Sequence, residues 1–223
     1  MKNRFSTLAA ALALAAGAQS ALAADISIKW EGNAAQAGVA LKSYDLTLSS
    51  EVEVFDDLAL QLKYTNLTTG SSFVAFCIEP LASNSVLPAD YSVSSFTGAQ
   101  ATHLAALYQT SFSTSMNATQ QAAFQLAVWE FTQETAVNGA MTYGTQTGTF
   151  ISNGPSHVLS LADTYVQNAL NFTGTSTYQV IKLSNANYQD LVMAAAVPEP
   201  ESYALFLAGL GAMGLIARRR LPR

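Results

Sequence analysis

Hydrophobic and polar residues alternate with a period of two in the first third of the chain. Leucines and tyrosines alternate with polar or small residues over 44–48 and 58–64, a pattern typical of strands with one buried face. Residues 73–78 form a continuous apolar run, which indicates a more deeply buried strand. Turn-forming residues precede this run at 68–72. This part of the chain is therefore predicted to form strands, the last of which ends near Ile78.

The periodicity becomes helical beyond position 100. Three segments are predicted to be helices: 101–109, 117–134 and 156–171. Asn117 is the expected N-cap of the second helix, turns or short strands are expected over 138–153, and closing strands over 178–183 and 188–193. The order of strands, helices and strands predicts an α+β fold, built as a β-sandwich or a twisted antiparallel sheet with an inserted helical layer.

In the helix predicted over 117–134, the polar side chains lie on two different faces. With about 100° of rotation per residue, Thr119, Glu130 and Glu134 fall on one side, which we expect to face solvent. Gln125 falls on the inward side, and Gln121 lies one turn before it. A buried carboxamide needs hydrogen-bond partners, so Gln125 is either a core glutamine satisfied by backbone groups or a residue with a chemical role.

The first 23 residues have the features of a secretory signal peptide. A basic start with Lys2 and Arg4 leads into an apolar Leu/Ala stretch, and Ala21 and Ala23 form an A-x-A cleavage site. We therefore predict a signal helix over 1–23, followed by an extracytoplasmic domain over 24–196.

The last 27 residues, 197–223, predict a membrane anchor. Pro198 and Pro200 prevent a helix from starting earlier, and the uncharged residues 202–217 predict a C-terminal transmembrane helix. The basic stop that follows consists of Arg218, Arg219 and Arg220. By the positive-inside rule this stop stays in the cytoplasm and leaves the domain on the other side of the membrane.

The tail resembles the PEP-CTERM sorting segment. The residues that carry the resemblance are Val197, Pro198, Glu199 and Pro200, followed by the apolar segment and the arginine cluster. The resemblance implies recognition by an exosortase in the inner membrane of a Gram-negative bacterium. It also implies cleavage near Pro-Glu-Pro and transfer of the domain to the cell surface or an extracellular matrix. The alternative is a plain C-terminal membrane anchor.

Composition excludes several classes of function. The chain is 50% hydrophobic and only 11% charged. The domain over 24–196 contains four lysines, no arginine and thirteen acidic residues, which gives a net charge of −9. No nucleic-acid partner is expected, because such a partner requires a basic face. The single cysteine, Cys77, excludes an intramolecular disulfide, and the two histidines do not form a zinc motif with it.

Cys77 and Gln125 are the candidate reactive pair. Cys77 lies at the end of the most apolar predicted strand. A solitary thiol in an exported protein is a buried small side chain, a reactive group, or one half of an intermolecular disulfide. The residues alone leave these three interpretations open.

The segments around this pair resemble the Cys–Gln thioester domains of bacterial surface adhesins. Residues 76–79 read Phe-Cys-Ile-Glu, and residues 124–129 read Phe-Gln-Leu-Ala-Val-Trp. The second segment supplies the Gln-x-Ala and the tryptophan of the family's helix, while Phe124 stands where the family has threonine. The resemblance implies an internal thioester that forms between Cys77 and Gln125 with release of ammonia.

Four residues are expected to support this bond. Phe76, Phe124 and Trp129 are candidates to shield it from water, and Glu79 is a candidate to assist proton transfer.

The prediction is an exported cell-surface or extracellular-matrix protein that has no catalytic turnover, needs no cofactor and binds no metal. It would attach covalently to a surface polysaccharide or protein. One alternative is a noncovalent adhesion or matrix domain in which Cys77 is buried and unreacted. A less favoured alternative is a secreted hydrolase in which His103 or His157 serves as the base for Cys77.

Overall fold

The structure is a computed structural model that describes residues 25–34, 39–45, 57–80, 82–197, 208, 209 and 213. Four sets of predictions lie outside the described residues: the signal helix over 1–23, the motif residues Pro198, Glu199 and Pro200, the transmembrane helix over 202–217 apart from residues 208, 209 and 213, and the basic stop at Arg218, Arg219 and Arg220. Within the described ranges, no helix has the length and apolar character needed to cross a bilayer.

The elements follow one another in this order: β1 (Ile26–Asn33), β2 (Val39–Asp45), β3 (Asp57–Ala59), β4 (Leu62–Asn66), β5 (Ser72–Cys77), β6 (Ala89–Ser95), α1 (Gly98–Ser111), α2 (Ala118–Gln133), β7 (Phe150–Asn153), α3 (Ser156–Leu170), β8 (Tyr178–Ser184) and β9 (Leu191–Ala196).

Six antiparallel strands of the described chain close into a barrel in the order β1-β4-β5-β9-β8-β6. Alternate side chains of these strands form a core cluster of Ile28, Tyr64, Ala75, Tyr91, Leu183 and Leu191. The seam between β5 and β9 is short, with Phe76 opposite Val192 and Cys77 opposite Leu191. Cys77 therefore lies where β5 ends and the barrel closes.

Helices pack against one side of the barrel, and a small sheet packs against α2. The second sheet has the order β3-β2-β7. Phe76 of β5 packs with helical residues such as Leu107, Phe124 and Val166 in the largest core cluster. A separate cluster joins α2 to the small sheet through Leu126 and Phe150.

The middle of α2 is buried on all sides, since each residue from Gln121 to Phe131 is buried. The prediction that Glu130 and Glu134 face solvent is wrong, because they are 0% and 5% exposed. Thr119, near the start of the helix, is half-buried. A helix enclosed by other elements has no single solvent face, so the amphipathic assignment does not apply to it.

The α+β class and the antiparallel strands are confirmed. The strands differ from the expected sandwich or open sheet because β1 pairs with both β4 and β6 and thereby closes the barrel. The helices lie between β6 and β8, so the predicted insertion of helices into the sheet is also confirmed.

Candidate functional site

Cys77 is the last residue of β5 and is 8% exposed. Side chains alternate along a strand, so Phe76 joins the core on the helical side, while Cys77 contacts a different cluster that contains Trp129 and Leu126 of α2. The end of the strand thus places the thiol between the barrel and α2.

Gln125 lies in the middle of α2 and is 1% exposed. Its side-chain Oε1 accepts a hydrogen bond from the backbone N–H of Cys77 at 3.0 Å, and its Nε2 donates to the carbonyl oxygen of Cys77 at 2.7 Å. The carboxamide is therefore held at a single residue, which lies 48 positions earlier in the chain. The structure brings the two predicted residues together.

Cys77 and Gln125 line a cavity of about 290 Å³. Trp129 lines it too, so this candidate shielding residue lies beside the pair. Phe76 and Phe124 are not among the lining residues. Their rings pack against each other with centroids 4.6 Å apart, and both are fully buried in the helical core. Their contact joins β5 to α2 within the helical core, away from the cavity.

Glu79 does not reach this cavity. The residue is exposed, and its Oε2 accepts a hydrogen bond from the backbone N–H of Asp190 at 3.1 Å. It lines a separate groove with Asn185 and Asp190. The structure therefore does not bring its carboxylate to the Cys77–Gln125 pair.

The two histidines lie away from the cavity. His103 of α1 packs between the rings of Phe131 and Tyr143, with centroids 5.1 and 5.3 Å away. Burial lowers the pKa of His103. His157 is exposed at the start of α3. Neither histidine is among the described residues that line the cavity holding Cys77.

Two other glutamines of α2 also form hydrogen bonds with backbone groups. Gln121 accepts from the backbone N–H of Gln61 at 3.4 Å and donates to the carbonyl oxygen of Met116 at 2.9 Å. Gln133 donates to the carbonyl oxygen of Ile78. The sequence signal for Gln121 was its position one turn before Gln125, whereas nothing in the sequence pattern indicated Gln133.

The sequence did not indicate several residues of the cavity wall. Trp30 of β1 lines the cavity together with three amide side chains, Asn33, Asn84 and Gln189. Asn84 Oδ1 accepts a hydrogen bond from the hydroxyl of Tyr64 at 2.7 Å. These residues come from distant parts of the chain and meet only because the barrel closes.

Two tyrosines lie close enough to Cys77 to interact with it electrostatically. Burial raises the pKa of Tyr64 well above its usual range, and burial together with the charge of Asp190 raises the pKa of Tyr91 to about 12. Both side chains are thus neutral hydroxyls at neutral pH.

Buried carboxylates of α2 hold the segment 144–150 in place. Glu134 accepts hydrogen bonds from the backbone N–H groups of Thr149 at 2.7 Å and Phe150 at 3.1 Å. Glu130 Oε2 accepts from the backbone N–H of Gly144 at 3.0 Å, and its Oε1 has no hydrogen-bond partner among the described residues. Burial raises the pKa of Glu130 to about 8, and the neighbouring Glu134 and Asp163 add to this rise.

No group of acidic, histidine or cysteine side chains suited to a metal ion occurs in the described ranges.

The chain resembles several solved structures, two of which are surface-protein domains of other bacteria. One is the N-terminal domain of the Streptococcus pyogenes pilus tip adhesin Cpa, with a TM-score of 0.43 and 14% identity over 74% of this chain and 99% of that one. The other is the N-terminal thioester domain of a surface protein from Clostridium perfringens, in a cysteine-to-alanine mutant. Its TM-score is 0.42, with 12% identity over 70% of this chain and 99% of that one. No curated protein matches the chain.

The C-terminal segment matches a known family. Residues 196–220 match the family model of the PEP-CTERM protein-sorting motif, which confirms the resemblance of the tail. The chain thus carries a PEP-CTERM sorting motif, which implies an exported protein that exosortase-type machinery recognises and processes at the membrane.

Proposed function

We propose that this protein is an exported cell-surface or matrix protein whose domain attaches covalently to its target through an internal Cys77–Gln125 thioester. The observation that carries the proposal is the two-point hydrogen bonding of the Gln125 carboxamide to the backbone of Cys77, at 3.0 and 2.7 Å. This arrangement keeps the amide next to the residue whose thiol would attack it.

The bond forms by an exchange at the side-chain carbonyl carbon of Gln125. The Cys77 thiolate attacks this carbon, a carbon–sulfur bond forms, and the carbon–nitrogen bond breaks. The one proton that the Cys77 thiol loses when it becomes the thiolate passes to the nitrogen, which leaves as ammonia, so that no oxidant or cofactor is needed.

The backbone of Cys77 favours this exchange. Its N–H donates to Gln125 Oε1, the atom on which negative charge develops as the sulfur attacks. A hydrogen-bond donor already in place at that atom stabilises the tetrahedral intermediate. The same residue thus supplies the nucleophile and one donor of an oxyanion site.

Burial would protect the thioester from hydrolysis. Gln125 is 1% exposed and Cys77 is 8% exposed, with the indole of Trp129 beside them. A nucleophile on the target would enter through the cavity, take the acyl group of Gln125 and release the Cys77 thiol. The reaction occurs once per molecule, so the protein is not an enzyme.

The sorting motif determines where this chemistry takes place. In our proposal, the membrane-held precursor is processed by an exosortase-type system in a Gram-negative inner membrane. The domain then reaches the cell surface or the extracellular matrix. An irreversible bond to a surface polysaccharide or protein would fix it there.

Intact-mass spectrometry of the purified protein tests the thioester. We expect a mass below the sequence value by one ammonia, and the sequence value for Cys77→Ala and Gln125→Ala. Gln121→Ala is the matched control, because Gln121 is also a buried glutamine of α2 but binds other groups. That variant should keep the ammonia deficit. A wild-type mass at the sequence value, together with a thiol that reacts with a maleimide in the unfolded protein, would leave only the noncovalent adhesion or matrix domain.

A further inference from the structure

The cavity beside Cys77 has walls suited to a particular kind of ligand. Both tryptophans of the chain, Trp30 and Trp129, line it. Three carboxamide side chains besides Gln125 line it too: Asn33, Asn84 and Gln189. Indole rings offer flat apolar surfaces with one polar edge, and carboxamides both donate and accept hydrogen bonds. A volume of about 290 Å³ lies at the lower end of small-molecule pockets, which start at about 300 Å³.

The described part of the wall carries no formal charge, since none of the described residues that line the cavity is acidic, basic or a histidine. A lysine side chain or a polyamine is cationic at neutral pH, and it would lose its hydration in this cavity without gaining a carboxylate. An anion would likewise find no lysine or arginine. The cavity therefore favours a neutral ligand that is rich in oxygen.

We propose that this cavity is a carbohydrate subsite that presents a sugar hydroxyl to the acyl carbon of Gln125. This inference rests on the proposed thioester and names its target class. The hydroxyl oxygen would form an ester bond to the Gln125 carbonyl carbon, the carbon–sulfur bond would break, and the hydroxyl proton would pass to the Cys77 sulfur. The apolar face of the sugar ring packs on an indole, and its remaining hydroxyls exchange hydrogen bonds with the carboxamides of the cavity wall.

Binding is tested without the thioester in the full-length Cys77→Ala protein. Its tryptophan emission reports on this cavity, because both tryptophans of the chain lie in the cavity wall. The probes are maltotetraose, cellotetraose and chitotetraose, with Nα-acetyl-lysine amide as the amine. We expect a saturable change in emission with at least one of the oligosaccharides and none with the amine.

Variants in the same background locate the binding. Trp30→Phe replaces the indole with a smaller ring and so removes part of the flat apolar surface of the cavity wall, and we expect it to weaken binding roughly tenfold. Asn187→Ala is the control, because Asn187 is exposed in the separate groove and should leave the affinity unchanged. No response to any oligosaccharide, or saturable binding of the amine alone, would overturn the proposal. Equal affinity of Trp30→Phe and the unaltered background would also overturn it.

The covalent step is followed by mass in the protein with an intact Cys77. Incubation with the oligosaccharide that binds should add one sugar molecule to the ammonia-deficient mass, through an ester that hydroxylamine cleaves. A protein that never shows the ammonia deficit overturns the thioester but leaves the fluorescence result standing. A deficient protein that reacts only with the amine overturns the carbohydrate assignment and leaves the thioester standing.

Discussion

Glu130 and Glu134 show how a single residue can differ from what its sequence pattern indicates. Their spacing places them on one side of α2, which predicted a solvent-facing side, yet both are buried beneath the segment 144–150. The pattern reports that the carboxylates share a face. It contains no information about a loop that follows the helix and supplies backbone N–H groups to that face.

Gln125 is the opposite case. The helical pattern placed it inward, and the structure confirms that position. Helix periodicity fixes the direction of a side chain once the buried face is known. It does not fix the partner, and the hydrogen bonds to Cys77 depend on how β5 lies against the helix.

Glu130 makes stability depend on pH. Burial raises its pKa from 4.5 to about 8, so the folded protein holds a proton that the unfolded chain releases. The contribution of Glu130 to the free energy of unfolding is complete below about pH 4.5, where the carboxyl is protonated in both states. This contribution is lost as the pH rises to about 8, because the unfolded chain is then stabilised by releasing the proton. Glu130→Gln resembles the protonated acid, so we expect it to remove this pH dependence. At pH 8 we expect it to be more stable than wild type by a few kcal/mol, the order of magnitude that follows from the difference in the Glu130 pKa between the folded and unfolded states.

Urea unfolding at several pH values between 4.5 and 8 measures the effect. The difference in unfolding free energy between Glu130→Gln and wild type should grow as pH rises. Glu31→Gln is the control, since Glu31 is exposed in β1 and pairs with Lys29 at the surface. A difference that stays constant with pH would show that Glu130 is ionised in the folded protein.

At the scale of elements, α2 is the helix that carries the candidate site, and its start is well defined. The sequence predicted Asn117 as its N-cap, and the structure confirms it. Asn117 accepts from the backbone N–H of Gln120 at 2.9 Å, and the Gln120 side chain accepts from the backbone N–H of Asn117 at 2.9 Å. Local residue types determine such a capping box, so the sequence is sufficient to predict it.

Loss of this cap should destabilise the protein. We expect Asn117→Ala to lower the unfolding free energy by about 1 kcal/mol, because a backbone donor at the start of α2 loses its acceptor. Thr97→Ala is the matched control: Thr97 is the N-cap of α1, but its side chain makes no capping hydrogen bond. Chemical denaturation followed by circular dichroism compares the two variants. Equal losses would mean that the Asn117 side chain does not contribute as a cap.

The strands were harder to predict at this scale. The alternating run over 58–64 corresponds to two strands, β3 and β4, which belong to different sheets. Residues 60 and 61 separate them, with no glycine or proline to mark the break. A period of two reports which residues share a face, but the choice of partner strand depends on contacts distant in sequence.

At the scale of the whole molecule, the barrel joins segments from both ends of the domain. β5 pairs with β4 and β9, and β1 pairs with β4 and β6. The order of elements predicts the α+β class because strands come first and last in the domain. The closure of the barrel and its cavity could not be predicted, because both depend on pairings that skip over all three helices of the described chain.

A Cys77–Gln125 thioester would also act as a cross-link between β5 and α2. The two residues are 48 positions apart, and closing a loop of this length in the unfolded chain corresponds to about 4 kcal/mol by the chain-entropy model. Methylamine opens the thioester by taking the acyl group of Gln125 as an amide, and it leaves the peptide bonds of the chain intact. We expect this treatment to lower the Tm of the wild-type protein by roughly 10 °C, as follows from this free energy for a domain of this size. Differential scanning calorimetry measures the change, and Cys77→Ala, treated in the same way, should show none. An unchanged wild-type Tm after complete cleavage, verified by mass, would mean that the bond does not constrain the unfolded chain.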